Sequence, residues 1–89
     1  MQNKKVEKIM SSQFYKDLST PLIINGKQNS RGWYNLIVSI RDVRMYRVGI
    51  KPHRNWRITD VKEYFGISGK SDSIIQQLET FKEVLMPKV

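Results

Sequence analysis

Residues 33–50 read WYNLIVSIRDVRMYRVGI, and the way this stretch folds decides the architecture of the chain. Tyr34, Leu36, Val38 and Ile40 alternate with Trp33, Asn35, Ile37 and Ser39. A period of two is expected of a strand with one face on a core. The alternation resumes after Arg41 and Asp42, with Arg44, Tyr46, Val48 and Ile50 on one face and Met45 and Arg47 on the other. Strands commonly run about 5 to 6 residues, so the length favours two strands joined by a hairpin at 41–43 over one long strand with a bulge.

Working outward, LIIN at 22–25 is followed by Gly26, and an Asn-Gly pair after a β-branched run is a strong hairpin signal. This predicts a short strand over 22–24, with the polar KQNSRG after it as loop. WRI at 56–58 fits a last short strand. Before the sheet, Val6, Ile9, Met10, Phe14 and Leu18 recur at spacings of three and four, which predicts one amphipathic helix ended by Ser19, Thr20 and Pro21. After it, Asp60 and Glu63 mark a helix start and Gly66 its left-handed stop, with Val61, Tyr64 and Phe65 facing inward. Ser71 or Asp72 then caps a second helix, striped by Ile74, Ile75, Leu78, Phe81 and Leu85 and barred from continuing by Pro87. The expected fold is therefore α+β over a single domain, 1–89. It has an N-terminal helix, a small antiparallel sheet of three or four strands, and two C-terminal helices packed on one face.

Composition narrows the chemistry. The chain has 89 residues, no Cys and one His, which excludes disulfides, thiol catalysis and zinc-finger sites and leaves no metal centre or cofactor to expect. The N-terminal MQNKKVEKIM lacks the apolar run of a secretory signal, and no stretch approaches the roughly 18 apolar residues of a membrane span, so a cytoplasmic protein without membrane contact is expected. Sixteen Lys and Arg oppose eight Asp and Glu, for a formal charge of +8. All six Arg (Arg31, Arg41, Arg44, Arg47, Arg54, Arg57) fall within 31–57, where Lys51 joins them and Asp42 alone opposes them, a local net charge of +6. From residue 58 onward, four Lys face five Asp and Glu. Solubility alone does not segregate Arg from Lys, and Arg is the cation suited to bidentate and stacked contacts with phosphates and bases.

Four features invite a functional reading. His53, in GIKPHRNWRI at 49–58, sits among Lys51, Arg54 and Arg57 with no orienting carboxylate before Asp60, so it suits a surface or phosphate-contacting role better than general acid-base catalysis. GKS at 69–71 precedes an apolar helix as in a Walker A loop, but Tyr64 stands where the motif requires its first Gly. NTP hydrolysis is not expected, while Lys70 beside a helix start remains a phosphate contact. Trp33 and Trp56 fit either core packing or base stacking, and the sequence leaves that choice open. Tyr34, Tyr46 and Phe65 are assigned to the core.

Two short resemblances overlap the C-terminal helices. DVKEYFGIS resembles the first helix and turn of helix-turn-helix proteins, although Lys62 replaces a small residue and Gly69 with Lys70 lengthen the turn. GISG resembles the GxxG loop of KH RNA-binding domains, without a cation at its two middle positions. Each covers about twenty residues, and neither assigns a family. The expectation drawn from these residues is a non-catalytic nucleic-acid-binding protein. Its predicted contacts are Arg41, Arg44, Arg47, Lys51, His53, Arg54, Trp56, Arg57 and Lys70, and RNA or single-stranded DNA is slightly favoured over duplex. The alternative is an accessory or inhibitory module docking an acidic protein partner. Oligomeric state is not legible.

Overall fold

The computed structural model describes residues 4–24 and 26–85 and contains five helices and one two-stranded sheet. In chain order these are α1 (Lys4–Met10), α2 (Gln13–Asp17), β1 (Pro21–Ile24), β2 (Lys27–Ser30), α3 (Arg31–Arg47), α4 (Ile58–Phe65) and α5 (Ser71–Leu85). Asn25, Pro87 and the Val6 side chain lie outside the described residues.

The main departure from expectation is α3. Residues 31–47 form one 17-residue helix where two strands were expected. Leu36, Ile40 and Val43 recur at spacings of four and three, and all three are buried. Alternation at period two overlaps that helical stripe at Leu36 and Ile40 only. Tyr34, the preceding member of the supposed strand face, is exposed and Val38 is half-buried. Start and stop signals flank the helix rather than interrupt it. Ser30 caps the N-terminus, its Oγ accepting the Trp33 N–H at 3.0 Å. At the far end the Ile50 N–H reaches the Met45 carbonyl and the Gly49 N–H that of Tyr46, with Gly49 at φ 88°. That is the Schellman closure, which a residue with a Cβ adopts only under strain. With the helix in place, Tyr46, Val48 and Ile50, expected inside, are exposed.

The sheet is correspondingly smaller than expected, with two strands instead of three or four. β1 pairs antiparallel with β2 from Pro21↔Ser30 to Ile24↔Lys27, and Gly26, in the connection between them, has φ 78°. The polar KQNS segment, expected as loop, is the second strand; main-chain pairing to β1 overrides its weak β propensity. WRI is not a strand: Trp56 and Arg57 are irregular and Ile58 begins α4.

The N-terminal helix is broken at Ser11 and Ser12. Ser12 caps α2, its Oγ accepting the Tyr15 N–H, a bond that competes with continuing the α1 ladder. α4 starts ahead of the expected cap at Asp60, with Arg57 at the N-cap and Asp60 in the first turn. Its stop at Gly66 is as expected, with φ 69° and ψ 35°.

The buried core is helical. Phe14 of α2, Leu36, Ile40 and Val43 of α3, Val61 and Phe65 of α4, and Ile74, Ile75 and Leu78 of α5 form one cluster, completed by Trp56 and Ile67 from the connections. Among the described residues no strand side chain belongs to it. Two glycines permit the close approaches. A Cβ on Gly32 would lie 2.7 Å from the Leu18 nitrogen, and one on Gly66 2.5 Å from the Lys8 carbonyl oxygen. These contacts bring α2 and its C-terminal turn against α3, and α1 against the end of α4.

Candidate nucleic-acid interface

The helix changes which cations share a surface. In two strands, Arg41, Arg47 and Met45 would share the outer face, with Arg44 turned inward. On α3, Arg41, Arg44 and Arg47 stand at successive i, i+3 positions and make a slanting row beside the buried stripe. All three are exposed. Arg41 and Arg44 border a groove of about 390 Å³ between α3 and α5, floored by Ile37, Ile40 and Met45 and closed on the α5 side by Lys82. Lys82 is absent from the expected contacts because helix spacing alone does not say which residue faces another helix.

Beyond α3 the chain makes an irregular connection that Trp56 anchors. The Trp56 N–H bonds the His53 carbonyl at 3.1 Å, and its ring lies 5.0 Å from that of Tyr46. Trp56 is only 7% exposed and belongs to the core. It is therefore removed from the expected contact residues, since its faces are not open to a stacked base. Trp33 is half-buried against the same core. Burial of Trp56 pins the connection and leaves Lys51, His53 and Arg54 outside it, all exposed. Lys70 is exposed at the start of α5, where its carbonyl accepts the Ile74 N–H.

The cations that the sequence segregates are matched with acids by the fold. Arg44 pairs with Glu79 and Arg47 with Asp72, both across to α5, while Arg57 pairs with Asp60 at 3.0 Å and Arg41 with its neighbour Asp42 at 3.1 Å. The Asp60 hydrogen bond, with its charge, raises the Arg57 pKa above its ordinary value. Lys51 and Arg54 have no carboxylate partner among the described residues. In the Arg44, Arg47 and Arg57 pairs both side chains are at least 40% exposed, so water and salt compete with each pair and an external anion can replace the carboxylate, whereas Asp42 in the Arg41 pair is buried.

Away from these cations, a polar cluster not expected from the sequence joins α2, α3 and α4. Tyr64 donates to Asp17 Oδ2 at 2.7 Å, Gln13 Nε2 donates to Oδ1 at 3.0 Å, and Asn35 Nδ2 donates to the Tyr64 oxygen at 2.8 Å. Asp17 is 7% exposed. Burial pushes the Tyr64 phenol up from 10.0 to about 12; the Asn35 hydrogen bond opposes the rise and Asp17 adds to it. That direction is unhelpful for acid-base work near neutrality, because the phenol is held protonated. Both Asp17 oxygens are engaged by donors. The arrangement fastens three helices and leaves no free base.

Protein-family models, curated proteins and solved structures give no match to this chain. No helix of the described residues is long and apolar enough to cross a membrane.

Proposed function

We propose that the protein binds nucleic acid without catalysing a reaction on it, through the phosphates and with little discrimination between bases. The observation that carries this reading is the row Arg41, Arg44 and Arg47 continued by Lys51, His53 and Arg54, all exposed on α3 and the connection that follows it. Exposed Arg and Lys side chains of this kind neutralise a phosphate backbone, and that neutralisation supplies nearly all the affinity of non-specific binding. Arg57 and Lys70 extend the set at the starts of α4 and α5. A preference for RNA or single strands needs an exposed aromatic face. Trp56, the aromatic expected to supply it, is buried, which leaves the exposed Tyr34 and Tyr46 of α3 as the aromatics near the row, and the same cations serve duplex and single strand alike.

Salt dependence is the test. With about five phosphates neutralised, log affinity should fall against log salt with a slope of about −3.5 to −4.5, measured by anisotropy with labelled duplex DNA, single-stranded DNA and RNA. Absence of binding to all three at low salt overturns the proposal. A second reading has an observation of its own: Ile37, Val48 and Ile50 are 37%, 70% and 55% exposed beside these cations. Apolar side chains interleaved with Arg also suit an acidic protein partner. Pull-down before and after nuclease separates the two, because a protein retained after digestion favours the second.

A further inference from the structure

Two of the three arginines in the α3 row are held by carboxylates of a single other helix. Arg44 meets Glu79, and Arg47 Nε meets Asp72 Oδ1 at 2.7 Å. The pairs run in opposite senses, the higher-numbered arginine meeting the lower-numbered acid. Asp72 and Glu79 are seven residues apart on α5, about 10 Å along its axis, so a two-turn length of α5 lays negative charge along the arginine row. Neither acid is needed to satisfy a buried group: their side chains are 70% and 40% exposed. Nor do they fasten the α3–α5 contact, which rests on Leu36, Ile40, Val43, Ile74, Ile75 and Leu78.

We infer that Asp72 and Glu79 are built-in competitors of the phosphate backbone, occupying the guanidinium groups of Arg47 and Arg44 until a polyanion displaces them. This rests on the nucleic-acid reading proposed above and adds to it a residue-level control of affinity. The physical basis is exchange. A surface ion pair is weak in water, whereas a phosphate chain brings many charges at once and releases condensed counterions when it is neutralised. Each carboxylate therefore lowers the gain from its arginine without abolishing it. As a result the +8 chain binds less tightly than its charge implies, and mainly polyanions dense enough to win the exchange are retained.

The test compares two double variants with the same change in charge. Asp72→Asn with Glu79→Gln frees both arginines. Glu7→Gln with Glu83→Gln removes two exposed carboxylates that have no ion pair among the described residues. Binding of a fluorescein-labelled duplex is followed by anisotropy over a range of salt, with circular dichroism confirming unchanged helix content. The single variants D72N and E79Q are measured as well, so that a folding defect in the double variant does not mask the result. D72N/E79Q is expected to bind roughly three- to tenfold tighter than wild type at low salt, with a slope steeper by about 1 to 2. E7Q/E83Q should gain less than about twofold. Equal gains in the two double variants overturn the competitor role and leave nucleic-acid binding standing. If wild type and every variant fail to bind at low salt, the underlying reading falls with it.

Discussion

Among the described residues, two sets of side-chain contacts join helices, one of neutral donors around a buried carboxylate and one of exposed ion pairs. On one side Tyr64, Asp17, Gln13 and Asn35 close a chain of hydrogen bonds around a carboxylate that is 7% exposed. On the other, Arg44 and Arg47 meet Glu79 and Asp72 with every partner at least 40% exposed. In the first, each lost partner leaves a desolvated group unmatched. In the second, water and salt replace whatever is removed. The contrast teaches that the buried cluster depends on its own partners, while the exposed pairs can be broken at little cost to the fold.

Substitutions on the two sides should therefore behave differently. The largest stability loss is expected in the core that both sets border: Trp56→Ala should cost about 3–5 kcal/mol in urea unfolding, because a 7% exposed indole leaves a cavity and releases the connection after α3. Gly66→Ala should cost about 2–4 kcal/mol, since the new Cβ meets both a left-handed backbone and the Lys8 carbonyl. Tyr64→Phe should cost about 1–3 kcal/mol by removing one donor from buried Asp17.

That last variant also has a pH signature. The folded Tyr64 pKa of about 12 lies above its ordinary 10.0, so the tyrosine stabilises the fold fully below pH 10 and progressively less between pH 10 and 12. The advantage of wild type over Tyr64→Phe should shrink across that window; an advantage independent of pH would separate the raised pKa from stability. The smallest stability effect belongs to the exposed side. Arg44→Ala should change stability by less than about 1 kcal/mol while lowering the salt slope of nucleic-acid binding by about 1. A stability loss there comparable to that at Tyr64 would erase the contrast.

Local signals mark the ends of elements well. Gly66 as a left-handed stop and the hairpin turn beside Gly26 need only neighbouring backbone geometry, and both are where the sequence puts them. The middle of the chain reads as strand because Ile37, Val38, Ile40 and Val43 are β-branched and because Tyr34, Leu36, Val38 and Ile40 fall at spacing two, of which period 3.6 also selects Leu36 and Ile40. Ser30 and Gly49, one at each end of α3, are the local signals for a single helix. For the candidate interface, the charged stretch and its arginines are legible, but Trp56 is not, because a Trp beside cations reads equally as anchor or platform. Lys82 and the acids on α5 are invisible for the same reason that any contact between distant segments is.

The sequence by itself therefore determined the charge, its crowding into 31–57, the absence of thiol chemistry, and the turns whose geometry glycine sets locally. Tertiary structure decided the rest. Burial of Leu36, Ile40 and Val43 against α5 selected helix over strand, since most helical stability comes from packing an apolar face and not from propensity. The same packing brought Asp72 and Glu79 onto arginines 25 to 35 residues away in the chain, turning a segregated charge into a partly matched one.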